Sequence, residues 1–306
     1  MTRFILRRLG EGAISILGAS LIVFVISRLS GDPVVLMLPP DAPASSVQAL
    51  RQTLGLDQPF VIQYGMFLTR ALHGDFGQSY RWQMPALRLI LERLPATVQL
   101  AVAGLCFSLC VAVPVGVFSA VNHGGWIDRM GRIFAMLGQA MPAFWVGLLL
   151  ILTFAIQLEW LPAFGYGGIN HLVLPAIALG WYPVAAMTRI VRSAMLDVLN
   201  TDHIRLARAL GIPERLIIWK YAFRNAAVPL LTMLGVYFAA MLGGSFVVEV
   251  IFAWPGVGRT VVEAVFSRDF PVVQAGVLSA SVMFVLANLL VDLSYGFVDP
   301  RIRDER

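Results

Sequence analysis

Residues Asp202–Pro229 read DHIRLARALGIPERLIIWKYAFRNAAVP. The stretch is basic, amphipathic and interrupted by glycine, yet it lies between two long apolar runs. Ile204 to Leu210 fits one short helix. Gly211 stops it by releasing the backbone from helical constraint, and Pro213 suits the first turn of a second helix, where its missing N–H costs nothing. Ile212, Leu216, Ile217 and Trp219 give the second piece an apolar side, and Glu214, Arg215, Lys220 and Arg224 give it a polar one. Taken on amphipathicity alone, the segment reads either as an interfacial helix on a bilayer or as a docking element for a partner outside the membrane.

The chain around it belongs in lipid. Apolar residues fill 58% of 306 positions, charged residues 13%, and the mean hydropathy is +0.77. Soluble domains average about a quarter charged, so the class is an all-α, polytopic membrane protein. The net charge of +5 does not indicate nucleic acid, because the basic residues gather at the ends of apolar runs, where membrane topology accounts for them. A spanning helix needs roughly 20 apolar residues, and six candidates run over 9–29, 96–120, 133–157, 173–192, 227–252 and 273–297. Pro175 and Pro183 interrupt the fourth, which neighbouring helices can accommodate. The first run lacks a small-x-small cleavage site and reads as an uncleaved membrane helix. Six spans place both termini on one side, and 15 of the 23 Lys and Arg residues fall there, which makes that side cytoplasmic. The connection 158–172 has no Lys or Arg, as an outer loop should.

The expected organisation is therefore an N-terminal end and first span over 1–30, an outer segment with short helices over 31–95, a five-helix core over 96–297 containing the cytoplasmic loop 193–226, and a cytoplasmic tail over 298–306. Within the outer segment, Ser46–Leu54 and Phe60–Leu72 show helical spacing, and Asp32-Pro33, Pro39-Pro40 and Gly74-Asp75-Phe76-Gly77 punctuate it as turns. Cys106 and Cys110 lie on one helix face and read as small buried apolar side chains. No metal cluster or cofactor motif is legible. Trp254-Pro255-Gly256 reads as a turn at the outer interface, with Trp254 as its anchor. Gly235, Gly243 and Gly244 suit close helix approach. Ionisable residues deep in the spans are scarce: Glu249 falls near an outer end, Asp128 and Asp292 near inner ends. That scarcity argues against a proton-coupled carrier. No catalytic dyad and no phosphate-binding loop is present, so the chain is not expected to be an enzyme or to hydrolyse ATP itself.

A resemblance then adds to this reading. Ala207, Ala209 and Gly211, followed by Arg224-Asn225-Ala226-Ala227-Val228-Pro229, resemble the EAA-type cytoplasmic loop of bacterial ABC importer permeases, and most closely that of the dipeptide, oligopeptide and nickel permease family. Arg205-Leu206 stands where the Glu-Ala pair would begin, and Pro229 lies further beyond Gly211 than in sugar importers; both departures suit the peptide and nickel branch. Similar blocks run along nearly the whole chain: Gly31-Asp32-Pro33, Leu54-Gly55-Leu56-Asp57-Gln58-Pro59, Gly74-Asp75-Phe76-Gly77, Arg93-Leu94-Pro95-Ala96-Thr97, Pro142-Ala143-Phe144-Trp145, Leu174-Pro175-Ala176, Arg192-Ser193-Ala194-Met195-Leu196, Trp254-Pro255-Gly256-Val257-Gly258-Arg259, Arg268-Asp269-Phe270-Pro271 and Asp299-Pro300-Arg301-Ile302-Arg303. The run Trp160–Gly168 also resembles nickel permeases, and Leu242-Gly243-Gly244-Ser245 resembles glutathione permeases.

The resemblance implies a type I ABC importer permease fold in a bacterial inner membrane. It implies that this chain is one transmembrane subunit, partnered by a homologous permease, two ABC ATPase subunits and a periplasmic or lipid-anchored binding protein. The ATPase contact is expected at Ala207, Ala209, Gly211, Glu214, Arg215 and Asn225, and Trp254, Pro255 and Gly256 are expected in a re-entrant loop near the outer gate. The cargo is expected to be a di- or oligopeptide, with nickel, as a chelate, or glutathione as alternatives. A self-sufficient secondary carrier is the rival from another class.

Overall fold

The computed structural model describes residues 2–29, 34, 43–53 and 55–298. The sequence blocks at 31–33, 39–40 and 299–303, Leu54, the tail beyond Val298 and the Asp292 side chain lie outside the described residues. Among the described residues helices predominate. In order come α1 (Thr2–Leu29), α2 (Ala44–Thr53), α3 (Phe60–Leu72), α4 (Ala86–Val121), α5 (Trp126–Ala140) and α6 (Ala143–Leu150), which continues as a π-helical stretch over Ile151–Gln157. Then follow α7 (Ile169–Leu199), α8 (Asp202–Ala209), α9 (Glu214–Leu216), a second π-helical stretch over Ile217–Ala222, α10 (Phe223–Gly244), α11 (Phe246–Ile251), α12 (Val257–Phe266) and α13 (Phe270–Val298). They divide into two compact units, residues 1–97 with 255–285, and residues 98–254 with 286–306.

In the first unit, the amphipathic helix α3 lies against α1. The Ser20 and Tyr64 hydroxyls hydrogen-bond at 2.8 Å. Phe24, almost fully buried, meets the rings of Phe60, Tyr64 and Phe67 with centroids 5.2–5.4 Å away. A second apolar cluster joins Ala86, Leu89 and Ile90 to Val257, Ala264, Val272 and Ala275. Asp269 is completely buried beside it, where its Oδ2 accepts from the Ser79 hydroxyl at 2.5 Å and the Arg81 N–H at 3.1 Å. The two sequence blocks around Gly74–Gly77 and Arg268–Pro271 thus belong to one local structure. Burial, then the Asp269 charge, raises the Tyr80 phenol above its ordinary value.

The second unit is built on α7. Helices α5, α6, α10 and α11 pack against it, and its most apolar stretch is 67% buried, against 22–39% for the other four long apolar helices. Pro175 and Pro183 both sit inside this unbroken helix, buried, so the interruption expected at the fourth span does not occur. The helix also reads as the least apolar of the five, because protein rather than lipid surrounds it. Gly180 allows α4 to approach: a Cβ there would meet the Gly104 carbonyl at 2.5 Å, and Ser108 Oγ donates to both the Gly104 and Gly180 carbonyls at 2.7 and 2.9 Å.

Among the described residues, five helices are long and apolar enough to span a membrane, and a sixth span is reached by counting α5 and the α6 segment together. That pair departs from expectation. The run 133–157 reads as one straight span, but the chain bends by 105° between α5 and α6, at Met141 and Pro142. Proline at the N-cap of α6 lacks the N–H that would continue the ladder. Two further readings are corrected. Cys106 and Cys110 are exposed, not buried, since a small apolar side chain is as comfortable against lipid as in a core. Gly235 does face a close neighbour, Val291, but a Cβ added at Gly243 or Gly244 would meet nothing within 4 Å beyond the helix itself.

Candidate coupling surface

Local sequence builds the surface around residues 202–226. Asp202 opens α8 in its first turn, where a negative charge suits the helix dipole. The helix closes with a Schellman motif: Ile212 N–H donates to the Ala207 carbonyl at 3.2 Å and Gly211 N–H to the Arg208 carbonyl at 3.0 Å. Gly211 holds φ +72°, a left-handed value that a Cβ would resist. Pro213 then caps α9, and the chain runs through the π-helical stretch straight into α10. The second helix of this region is therefore no separate surface helix, because Glu214–Gly244 forms one continuous apolar helix. Periodicity marks where a helix starts; it does not mark that a polar, amphipathic half feeds a membrane-buried half without a break.

One face of this element is a core. Ile204, Ala207, Ile217, Ala222 and Ala226 are buried against Met187, Val191 and Met195 of α7 and Ala112, Val117 and Ala120 of α4. Full burial of a residue such as Ile204 or Ile217 contributes roughly 1.5–3 kcal/mol, so the element is anchored to the ends of two long helices. Of the residues expected to contact a partner, Ala209, Gly211, Glu214, Arg215 and Asn225 are exposed. Ala207 is not: at 6% exposure it belongs to that core, and its small size serves packing. The side chain of Asn225 turns back to the Tyr221 carbonyl at 2.9 Å.

The other face carries residues that motif reading passed over. Leu206 and Leu210, one turn apart, are 61% and 71% exposed, with Leu216 and Trp219 also exposed beyond Gly211. Their spacing, four residues apart, was a readable signal. Arg208 bridges the turn to Glu214 with contacts of 2.6 and 3.2 Å, and the Glu214 carboxylate raises the Arg208 guanidinium above its ordinary value. Nothing in the sequence signals a partner six residues away across a left-handed glycine.

Behind this surface, Asp128 of α5 is almost fully buried and accepts from Arg192 of α7 twice, at 2.6 and 2.9 Å, from the Ser119 hydroxyl at 2.7 Å and from the Gly124 N–H at 3.0 Å. A carboxylate at that depth persists because its lone pairs are filled. This joint ties α4, α5 and α7 together.

At the expected outer-gate block, Trp254 is wholly buried rather than anchored in an interface. Helix α11 ends in another Schellman closure, Trp254 N–H to the Glu249 carbonyl at 2.8 Å, with Ala253 at φ +51°. That reversal carries the indole inward, where the Tyr166 ring meets it edge-on at 4.8 Å, and Gly165 N–H donates to the Phe252 carbonyl at 3.0 Å. The blocks at 160–168 and 254 are thereby brought together. Glu249 is buried too, receiving the Ser245 hydroxyl at 2.7 Å. Gly256 caps α12, and its carbonyl accepts from Thr260. Pro255 precedes that cap.

Residues 112–304 match the family described as binding-protein-dependent transport system inner membrane component, and residues 1–101 match the corresponding N-terminal membrane component. The chain belongs to this permease family. Among its relatives, the glutathione transport system permease protein of Pectobacterium atrosepticum is 41% identical, over 98% of each chain. The dipeptide transport system permease protein of Alkalihalophilus pseudofirmus is 36% identical over 99% of this chain and 100% of its own. A solved structure, an amino acid ABC transporter with histidines, superposes with a TM-score of 0.49 at 22% identity, covering 67% of this chain and 92% of that one. Family membership makes this permease a polytopic membrane component of a binding-protein-dependent transport system.

Proposed function

We propose that this permease forms half of the translocation pathway of an ATP-driven importer for short peptides, including glutathione. The observation that carries the reading is the match to glutathione and dipeptide permeases across essentially the full chain. A second, homologous permease completes the pathway, two separate ABC ATPases supply the energy, and a periplasmic binding protein delivers cargo. Both termini and residues 193–226 face the cytoplasm of a bacterial cell, with 31–95 outside. Ala209, Gly211, Glu214, Arg215 and Asn225, together with Leu206 and Leu210, meet the ATPase; closure of the ATPase pair pulls α8, and the buried face of α8 and its continuation pass that displacement to α7 and α4. Trp254, Pro255 and Gly256 belong to the outer gate.

The test is reconstitution of the permease pair with its ATPases in proteoliposomes, with loaded binding protein on the opposite face. ATP-dependent uptake of a labelled dipeptide or of glutathione is expected. Uptake of neither, with a nickel chelate carried instead, would move the cargo to the metal branch of the family. Uptake by this chain alone under a proton gradient would refute the ATP-driven reading.

A further inference from the structure

Between Leu174 and Val191, every residue of α7 is buried or half-buried except two, Tyr182 and Arg189. They are seven apart, two helical turns or about 10 Å along the axis, and so share one face. Tyr182 is 50% exposed, and its ring meets that of Tyr237 from α10 edge-on at 6.3 Å. The charge of Arg189 lies within electrostatic reach of the same Tyr237 phenol. No hydrogen bond or ion pair engages the Arg189 guanidinium among the described residues. The most buried of the long helices is thus open along one narrow polar strip.

Lipid is a poor occupant for that strip, since the half-exposed Tyr182 phenol, two turns deeper than Arg189, would leave its hydroxyl unsatisfied in hydrocarbon, whereas Arg189 at the cytoplasmic end suits the mouth of an aqueous pathway. A packed helix is a poor one too, because helix pairs in membranes close on small residues, and this strip offers a ring and a long cation. Two phenols and a planar five-donor fork match a carboxylate. Resting on the short-peptide reading above, we infer that Tyr182, Arg189 and Tyr237 form this subunit's cargo-contacting wall and hold the C-terminal carboxylate of the peptide in transit. Tyr182 and Tyr237 stack against the peptide and donate their hydroxyls; Arg189 supplies the countercharge nearest the cytoplasmic end of α7.

The experiment uses the complete transporter in proteoliposomes with a labelled dipeptide free acid. Losing a charge-assisted hydrogen bond of this kind lowers a rate by about tenfold or more. Arg189→Gln is therefore expected to cut peptide uptake about tenfold, with ATP consumed per peptide imported rising by a similar factor, and Arg189→Lys is expected to recover most of the uptake. Tyr182→Phe with Tyr237→Phe should raise KM for the loaded binding protein's cargo several-fold. Wild-type uptake in Arg189→Gln overturns the inference. So does an equal loss of uptake and ATP hydrolysis in both the Gln and Lys variants, which marks a coupling role, or loss of the second permease from the purified Gln variant, which marks a subunit interface. If the wild-type transporter imports no short peptide, the peptide reading itself fails and this inference goes with it; wild-type uptake beside an unaffected Gln variant removes this inference alone.

Discussion

Asp128 and Arg192 show what single residues contribute once their partners are known. Asp128 is buried, Arg192 is half-buried and their contact is bidentate, so removing Arg192 leaves a buried carboxylate with only the more exposed Arg132, 3.9 Å away, as countercharge. Arg192→Met is expected to destabilise the protein by about 3–5 kcal/mol, read as a clear drop in melting temperature of the purified permease complex. An unchanged melting curve would show that the carboxylate finds other compensation. Asp269 makes a second case. Asp269→Ala leaves the buried Ser79 hydroxyl and the Arg81 N–H without their acceptor, which costs about 1–3 kcal/mol for each group left unsatisfied. Limited proteolysis should then cut the loop between α3 and α4 faster than in wild type, and equal cutting rates would sink the assignment. Neither partnership was legible in the sequence. Asp128 reads as a charge near a helix end and Asp269 as part of a short motif, because ion pairs across 64 residues and hydrogen bonds across 190 leave no periodic trace.

At the scale of the element, α8 and its glycine closure were the most legible part of the chain, and they behave as the spacing of apolar residues requires. Which of the two faces is free was not legible, since both carry leucine, isoleucine or alanine; contact with α4 and α7 decides it. The free face leads to a sharp expectation. Leu206→Ser with Leu210→Ser should leave membrane insertion and subunit assembly intact while lowering binding-protein-stimulated ATP hydrolysis at least severalfold. Full stimulation in the double variant would take the ATPase contact elsewhere. Gly211→Ala forces a Cβ into the left-handed region at φ +72°, costing about 1–2 kcal/mol. Its effect should be milder, appearing as fraying of the α8 end in hydrogen exchange; protection equal to wild type would show that the turn absorbs the Cβ.

For the whole molecule, the membrane topology turns on the bent pair α5 and α6. Counted as one crossing, it brings the spans to six and both termini to the same side; counted as none, it leaves five and separates them. The distribution of basic residues favours the first. A C-terminal fluorescent-protein fusion should therefore fluoresce as a cytoplasmic one does, and alkaline phosphatase inserted near Gly168 should be active outside. An active phosphatase at the C-terminus would mean the pair does not cross. The sequence alone identifies a helical membrane protein, the places of its long apolar runs, and the permeases to which it is related. Those properties follow from transfer of side chains between water and lipid and from backbone periodicity, both of which act within a few turns of chain. Tertiary contacts alone make α7 the most buried of the long helices, put Trp254 and Ala207 in the core, bend the third run by 105° and leave a strip of two tyrosines and an arginine open. Those depend on which distant segments meet, and a residue's exposure is a property of its neighbours in space rather than its neighbours in the chain.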